Sequence, residues 1–379
     1  MRIVIAPDKF KGTLSAQTAA EAIADGLYAA ACKRKPPTDL DVQLHPMADG
    51  GDGTLDCLVN AWNGRRQQTT ANGPFGEPVQ VPIGLVYDAT TAIVESATVI
   101  GHAIVPEKQR DPLTASSFGL GQVLRAVMET GVENILVGLG GTATVDGGAG
   151  MMQALGLRLI DPNGRDLPTG IGGGRLREIA RIAWHDPPAN LESVQFTLAV
   201  DVLNPLCGPS GAARVFGPQK GADAHGVEIL DAGLARWADV LTASAGHDMR
   251  NEPGAGAAGG IALPLLTLAN ASITPGVDLV IEAHRLAESI GSADLVITGE
   301  GRLDGQSLMG KVVGAVARMC HVVGVPCVAL VGAIGPGAEQ FDSLNLRRVV
   351  IGGTLDECAD RLSDAAVGLL RTGPSPLQT

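Results

Sequence analysis

Arg2-Ile-Val-Ile-Ala-Pro-Asp-Lys-Phe-Lys-Gly-Thr-Leu-Ser15 is the stretch whose reading decides the fold. Residues 2–6 are a compact β-branched run, expected of a buried strand. Residues 8–15 form a polar loop, and Ser15 is placed to cap a helix over 16–31. The pattern then repeats. Residues 42–45 read as a strand, Ala48-Asp-Gly-Gly-Asp-Gly-Thr54 as a charged glycine-rich loop, and residues 55–62 as a helix. Strand, loop, helix, twice over, is the opening of a doubly wound parallel sheet. In such sheets ligands collect beyond the carboxyl ends of the strands. Both charged loops fall there.

Beyond residue 66 the rhythm breaks. Proline and glycine interrupt short alternating runs, and Asp161-Pro-Asn-Gly164 is a hairpin signature. Helices are expected over 116–130, 223–243 and 259–269, and a buried strand over 196–200 that ends in Asp201. From residue 278 the β-α alternation resumes. Strands are expected at 294–298, 326–332 and 347–351, and helices at 308–322 and 355–370. The reading is an α/β protein of two domains. A Rossmann-like, doubly wound parallel sheet comes from both chain ends, residues 1–66 and 287–379. A mixed α/β domain, residues 67–286, is inserted between them. Residues 373–379 read as a frayed tail.

Composition narrows the function. The 379 residues carry a net charge of −12, which disfavours nucleic acid or an anionic membrane as partner. No segment approaches a membrane span, and the N-terminus enters a strand without a signal-peptide pattern. The six cysteines form no C-x-x-C pair, as expected of thiols in a reducing cytoplasm. The chain leaves its oligomeric state open, a homo-oligomer included. Glycine makes up 51 residues, well above the usual share of about 7%, and clusters after apolar runs as ligand-facing loops do.

The densest cluster is Gly138-Leu-Gly-Gly-Thr-Ala-Thr-Val-Asp-Gly-Gly-Ala-Gly150, following the apolar run 134–137. A strand, a glycine bend and a helix start make an anion site from backbone N–H groups, with the hydroxyls of Thr142 and Thr144 as further donors. Gly138-x-Gly140-x-x-Ala143 also fits the dinucleotide fingerprint, with Asp161 at the distance of a ribose contact. An NAD-dependent hydroxy-acid dehydrogenase is therefore the alternative. Against it, Asp161 sits in a turn signature, and residues 146–150 are too rich in glycine for a firm first helical turn. Gly305-Gln-Ser-Leu-Met-Gly310-Lys311 imitates a phosphate loop, but Val312 stands where a magnesium-holding hydroxyl belongs. A lysine at a helix start opposes the macrodipole, a conflict that a nearby phosphate or carboxylate removes.

Asp8, Asp49, Asp52, Asp201 and Asp304 all follow strands or lie in the glycine-rich loops after them. Phosphoryl transfer needs carboxylates for magnesium and for the acceptor proton, and cations against phosphate charge. Lys9, Lys11, Lys220 and Lys311 stand in or beside those loops. No G-x-S-x-G or H-E-x-x-H motif supports a hydrolase or a zinc enzyme.

These blocks also carry a resemblance. Pro7-Asp-Lys-Phe-Lys-Gly12, Ala48-Asp-Gly-Gly-Asp-Gly-Thr54, Gly140-Gly-Thr-Ala-Thr-Val-Asp-Gly-Gly148, Asp201-Val-Leu-Asn-Pro-Leu206, Val215-Phe-Gly-Pro-Gln-Lys-Gly-Ala222, Gly256-Ala-Ala-Gly-Gly260 and Thr298-Gly-Glu-Gly301 occur in the order seen in the bacterial glycerate kinase family of the 2-phosphoglycerate-forming type. The resemblance runs end to end. The chain departs from the family pattern at Lys9 and Thr142, usually serine, at Val145, usually asparagine, and at Asp52, usually glutamate. The resemblance implies ATP, magnesium, D-glycerate and a site in a two-domain cleft. On this reading Lys11, Asp49 and Asp201 are the expected catalytic residues. Asp8, Lys11, Gly50, Asp52 and Asn204 would bind substrate. Gly140, Gly141, Thr142, Thr144, Gly299, Glu300, Gly301 and Lys311 are the candidates for nucleotide, on one or other of two loops. Asp201 and Asp304 would hold metal. Lys11 is expected to face the site and Lys9 to point away. Whether oxygen 2 or oxygen 3 of glycerate is phosphorylated is left open by the residues alone.

Overall fold

The computed structural model describes residues 1–34, 37–308, 310–352 and 355–372. The tail expected at 373–379 lies outside them. The chain falls into two compact units, Met1–Asp49 with Pro275–Thr379, and Gly50–Thr274. Among the described residues no helix is long and apolar enough to cross a membrane.

The first unit is a five-stranded sheet in the order Arg347–Val350, Cys327–Ile334, Leu295–Leu303, Arg2–Pro7, Asp41–Leu44. All four pairings are parallel. Ile3 pairs with Leu295 and Ile5 with Ile297, so both chain ends share one sheet as expected. Every residue of Arg2–Pro7 after Arg2 is buried, the mark of a central strand covered on both faces. Ser15 caps the helix Ala16–Lys33 by accepting from Thr18 N. Ala19, Ile23 and Leu27 of that helix join Ile3, Ile5 and Leu330 in one core with Leu362 and Ala366 of the helix Cys358–Thr372. The two helices cross closely at Gly26, where a Cβ would lie 2.2 Å from Ser363 O. From Arg2–Pro7 the chain moves to one side, into Asp41–Leu44, and later returns on the other, into Leu295–Leu303. The order therefore switches at the carboxyl ends of Arg2–Pro7 and Leu295–Leu303, where Asp8 N donates to Gly299 O at 2.8 Å.

The second unit has a six-stranded mixed sheet in the order Asn270–Pro275, Gln195–Val200, Asn134–Gly138, Thr91–Glu95, Pro78–Val86, Arg65–Asn72. Thr91–Glu95, Asn134–Gly138 and Gln195–Val200 run parallel, and the Arg65–Asn72 side is antiparallel. The units divide at 49/50 and 274/275, not at the expected 66/67 and 286/287. The reason is the helix Thr54–Ala61. Its Leu55 N donates to the buried Glu95 carboxylate at 2.6 Å, and it packs on Pro78–Val86 and Thr91–Glu95. The chain has already left the first sheet when this helix begins.

Two histidines in the first unit carry a stability prediction. The His45 ring meets the His284 ring edge-on, with centroids 5.4 Å apart. Among the described residues neither nitrogen of His45, nor Nε2 of His284, has a hydrogen-bond partner. Burial, then the neighbouring His284, lowers the His45 pKa to about 4. Burial also lowers that of His284, against a hydrogen bond to Pro46. The unfolded chain therefore binds the proton first, and stability is lost as pH falls from about 6.5 towards 4. Replacing His45 with Leu should remove about 1 to 2 kcal/mol of the stability lost between pH 7.5 and 5. Urea midpoints of both proteins at the two pH values test this; equal acid losses contradict it.

Candidate active site

In the first unit the loop after Arg2–Pro7 turns sharply at Gly12, whose φ of 78° suits glycine alone. The loop sets Asp8 beside Asp49, each 7% exposed. Asp8 accepts from Lys9 N at 2.7 Å. Burial raises the Asp8 pKa, the Asp49 charge adds to this, and Lys9 and Lys311 oppose it. Glu300 is pushed up to about 7 by burial, which the Ser307 hydroxyl and Lys311 counter and Asp8 and Asp304 reinforce. Its Oε1 is buried and meets no hydrogen-bond partner among the described residues. The unit thus gathers carboxyl groups able to take a proton near neutral pH, faced by lysines.

Lys311 stands just before the helix Val312–Val323, and the charges of Asp8 and Glu300 remove the conflict posed by a cation there. Lys9 departs from expectation. Its Nζ lies 3.7 Å from Asp49 Oδ1, so it turns into the acidic group. A buried carboxylate attracts the nearest flexible cation, and strand alternation does not bind a loop residue. Lys11 is exposed. Gly299 has a packing role, because a Cβ there would lie 2.4 Å from Leu330 O. Gly301 lies against the backbone of Lys11. Asp304 accepts from Gln306 N at 3.0 Å and pairs loosely with Arg302, at 3.7 Å.

In the second unit the stretch 138–150 is a braced loop. Ser96 Oγ donates to Gly138 O at 2.8 Å. His102 contacts Gly141 O twice, from its backbone N at 2.8 Å and from ring Nδ1 at 2.6 Å. Lys220, fully buried, donates to Thr142 Oγ1 at 3.0 Å and Thr144 O at 2.8 Å. Burial lowers its pKa to about 7, against the charge of Asp146. Asp146, also fully buried, accepts from Ser117 N and Oγ, Gly148 N and Gly150 N, and burial raises its pKa. Gly256-Ala-Ala-Gly-Gly260 packs beneath, with Gly147 N donating to Gly259 O at 3.0 Å. A Cβ on Gly259 would lie 2.1 Å from Thr144 O.

Gly140 and Gly141 are half-buried, whereas Thr142 and Thr144 are 1% and 0% exposed. The expected hydroxyl donors therefore face inward, Thr142 onto Lys220. The remaining donors are backbone groups at the turn, where Gly141 is half-buried and Thr142 buried. Gly141 has φ 63°, and the N–H groups of Gly141 and Thr142 meet no acceptor among the described residues. Two successive N–H groups at a left-handed residue form an anion-binding nest. The helix that follows, Ala149–Ala154, is too short to add the expected dipole.

Residues 50–52 lie against this turn. Cβ atoms on Gly138, Gly140 and Gly141 would come within 3.0 Å of Gly50 O, 3.1 Å of Gly51 Cα and 2.9 Å of Asp52 Oδ1. Gly50 and Asp52 thus stand beside the glycine turn. Asp201, half-buried, follows Gln195–Val200. Asn204 braces its own loop through Ser210 O, at 2.8 Å. Asp201 and Asp304 are carried by different units.

The dinucleotide alternative fails on geometry. The helix begins at Ala149, far beyond the fingerprint, and Asp161 Oδ1 is occupied by Asn163 N and Arg165 N in its own turn. Sequence reasoning missed Ser96 and His102, because the short strand Thr91–Glu95 that positions them shows no clear period.

The model of the glycerate kinase family matches residues 3–373. The chain belongs to the glycerate kinase family. It is 43% identical to a glycerate kinase of Halalkalibacterium halodurans over 89% of this chain and 87% of that protein. It is 40% identical to the glycerate 2-kinase of Escherichia coli K12 over 88% of this chain and 86% of that one. A crystal structure from Salmonella typhimurium LT2, provisionally assigned as glycerate kinase 2, superposes with a TM-score of 0.82 at 37% identity, covering 98% of both chains. Membership accounts for the order of the glycine and aspartate blocks, and the α/β architecture is shared with that structure.

Proposed function

We propose that this chain transfers the terminal phosphoryl group of ATP to D-glycerate and forms 2-phosphoglycerate. Support for the nucleotide comes chiefly from one observation, the successive N–H groups of half-buried Gly141 and buried Thr142 that meet no acceptor among the described residues. That favours residues 138–150 over 298–311 for the ATP phosphates, with Gly140 and Gly141 in contact and Thr142 and Thr144 bracing from within. Glu300 and Lys311 then belong with Asp8, Lys11 and Asp49. Asp8 and Lys11 hold glycerate, and Asp49 orients the attacking hydroxyl or takes its proton. Gly50, Asp52 and Asn204 complete the substrate contacts, Asn204 through the Oδ1 left by its bond to Ser210.

Among the described residues no three His, Cys, Asp or Glu side chains are placed to hold a metal. Magnesium in kinases needs only one or two protein carboxylates beside phosphate oxygens, and Asp201 and Asp304 are our candidates for them. When bound it would neutralise phosphate charge. We place the enzyme in the cytoplasm, where its six cysteines, none in a disulfide, stay reduced.

The test is ADP release with D-glycerate, ATP and magnesium, beside an NAD-reduction assay. Release of ADP without NADH is expected. No ADP with any small hydroxy acid refutes the reading.

A further inference from the structure

We propose that His102 is a positioning residue for the nucleotide, fixing the phosphate-binding turn by donating from Nδ1 to the Gly141 carbonyl. This rests on the reading that residues 138–150 hold the ATP phosphates. The two contacts to Gly141 O, 2.8 Å from His102 N and 2.6 Å from Nδ1, leave that carbonyl no freedom. A carbonyl only accepts, so Nδ1 carries a proton and donates it. The peptide unit is planar and trans, so its C=O and N–H point in opposite directions. Anchoring Gly141 O on His102 therefore aims Thr142 N–H away from the segment that carries the histidine. The bridge between Gly101 and Thr142, closed by Ala143 N donating to Ile100 O at 2.8 Å, holds the same register. That N–H is one of the two at this turn that meet no acceptor among the described residues. Without the ring Gly141 O keeps the bond from His102 N, and glycine, with no Cβ, leaves the turn more room to move about it. Ser96 holds the turn at Gly138 and Lys220 holds it at Thr142 and Thr144, but His102 alone among these bonds Gly141.

Amide side chains separate positioning from other roles of the ring. Asparagine carries an N–H where Nδ1 stands, and glutamine reaches the place of Nε2. H102L and H102Q should raise the KM for ATP about tenfold, and H102N should stay within about twofold of the parent. The KM for D-glycerate and kcat should hold within about twofold in all three. Gly140→Ala, whose Cβ would press on Gly51 at 3.1 Å, is the control for the loop and should also raise the KM for ATP. If H102Q is normal and H102N defective, the ring acts through Nε2 and the proposal falls. It falls too if all three histidine variants are normal while Gly140→Ala is defective. An unchanged KM for ATP in Gly140→Ala sinks the phosphate-loop reading itself, and the inference with it. The His102 ring is half-buried, and the H102Q and H102N pair decides the matter even where H102L does not fold.

Discussion

Asp49→Asn should lower kcat about a thousandfold, within the range that general-base catalysis contributes. An amide keeps the size and one acceptor oxygen of the carboxylate but cannot take a proton. The loss should appear equally in kcat and kcat/KM, because the proton moves only in the transition state. A second signature comes from Asp8. The Asp49 charge helps to raise the Asp8 pKa, so its removal should lower that pKa and shift the acid limb of the residual activity to lower pH. Folding should survive, since Asn at this buried position also relieves like-charge repulsion. Loss below tenfold, with an unmoved acid limb, would remove Asp49 from the chemistry.

Lys11→Ala should lower kcat/KM about a hundredfold, equivalent to roughly 3 kcal/mol of transition-state charge stabilisation. Lys11 is exposed, so its loss should cost less than about 0.5 kcal/mol of stability. Lys9 supplies the contrast. It pairs with Asp49 and holds the Asp8 pKa down. Lys9→Ser should therefore keep kcat/KM within a fewfold at its optimum and move the acid limb upward. If Lys9→Ser is crippled and Lys11→Ala nearly normal, the loop after Arg2–Pro7 has been read the wrong way round.

Where the sequence was legible, a physical pattern was local. Residues 3–7 and 295–298 are largely apolar and buried on both faces, and Ser15 is a cap three residues before the N–H that it accepts from. The shared sheet of the two chain ends followed from the interrupted β-α rhythm. The unit boundary was not legible. The helix Thr54–Ala61 continues that rhythm, and only the bond from Leu55 N to Glu95, forty positions on, shows which sheet it serves. The aspartate and glycine loops were recognisable as a set. Their division of labour was not, because it depends on which way a side chain turns. Lys9 turns to Asp49, Thr142 turns inward to Lys220, and Gly299 and Gly259 are small because another backbone passes close by. His102 gave no signal, since one histidine after a short strand resembles any surface residue.

The most direct measurement is phosphorus and carbon NMR of the product formed from ATP, magnesium and carbon-labelled D-glycerate. The expected product carries phosphorus on the secondary C2 oxygen, its signal split by the single C2 proton, with one ADP for each phosphoglycerate. Phosphorus on the C3 oxygen would contradict the regiochemistry and leave a glycerate kinase. No phosphoglycerate at all would contradict the central claim.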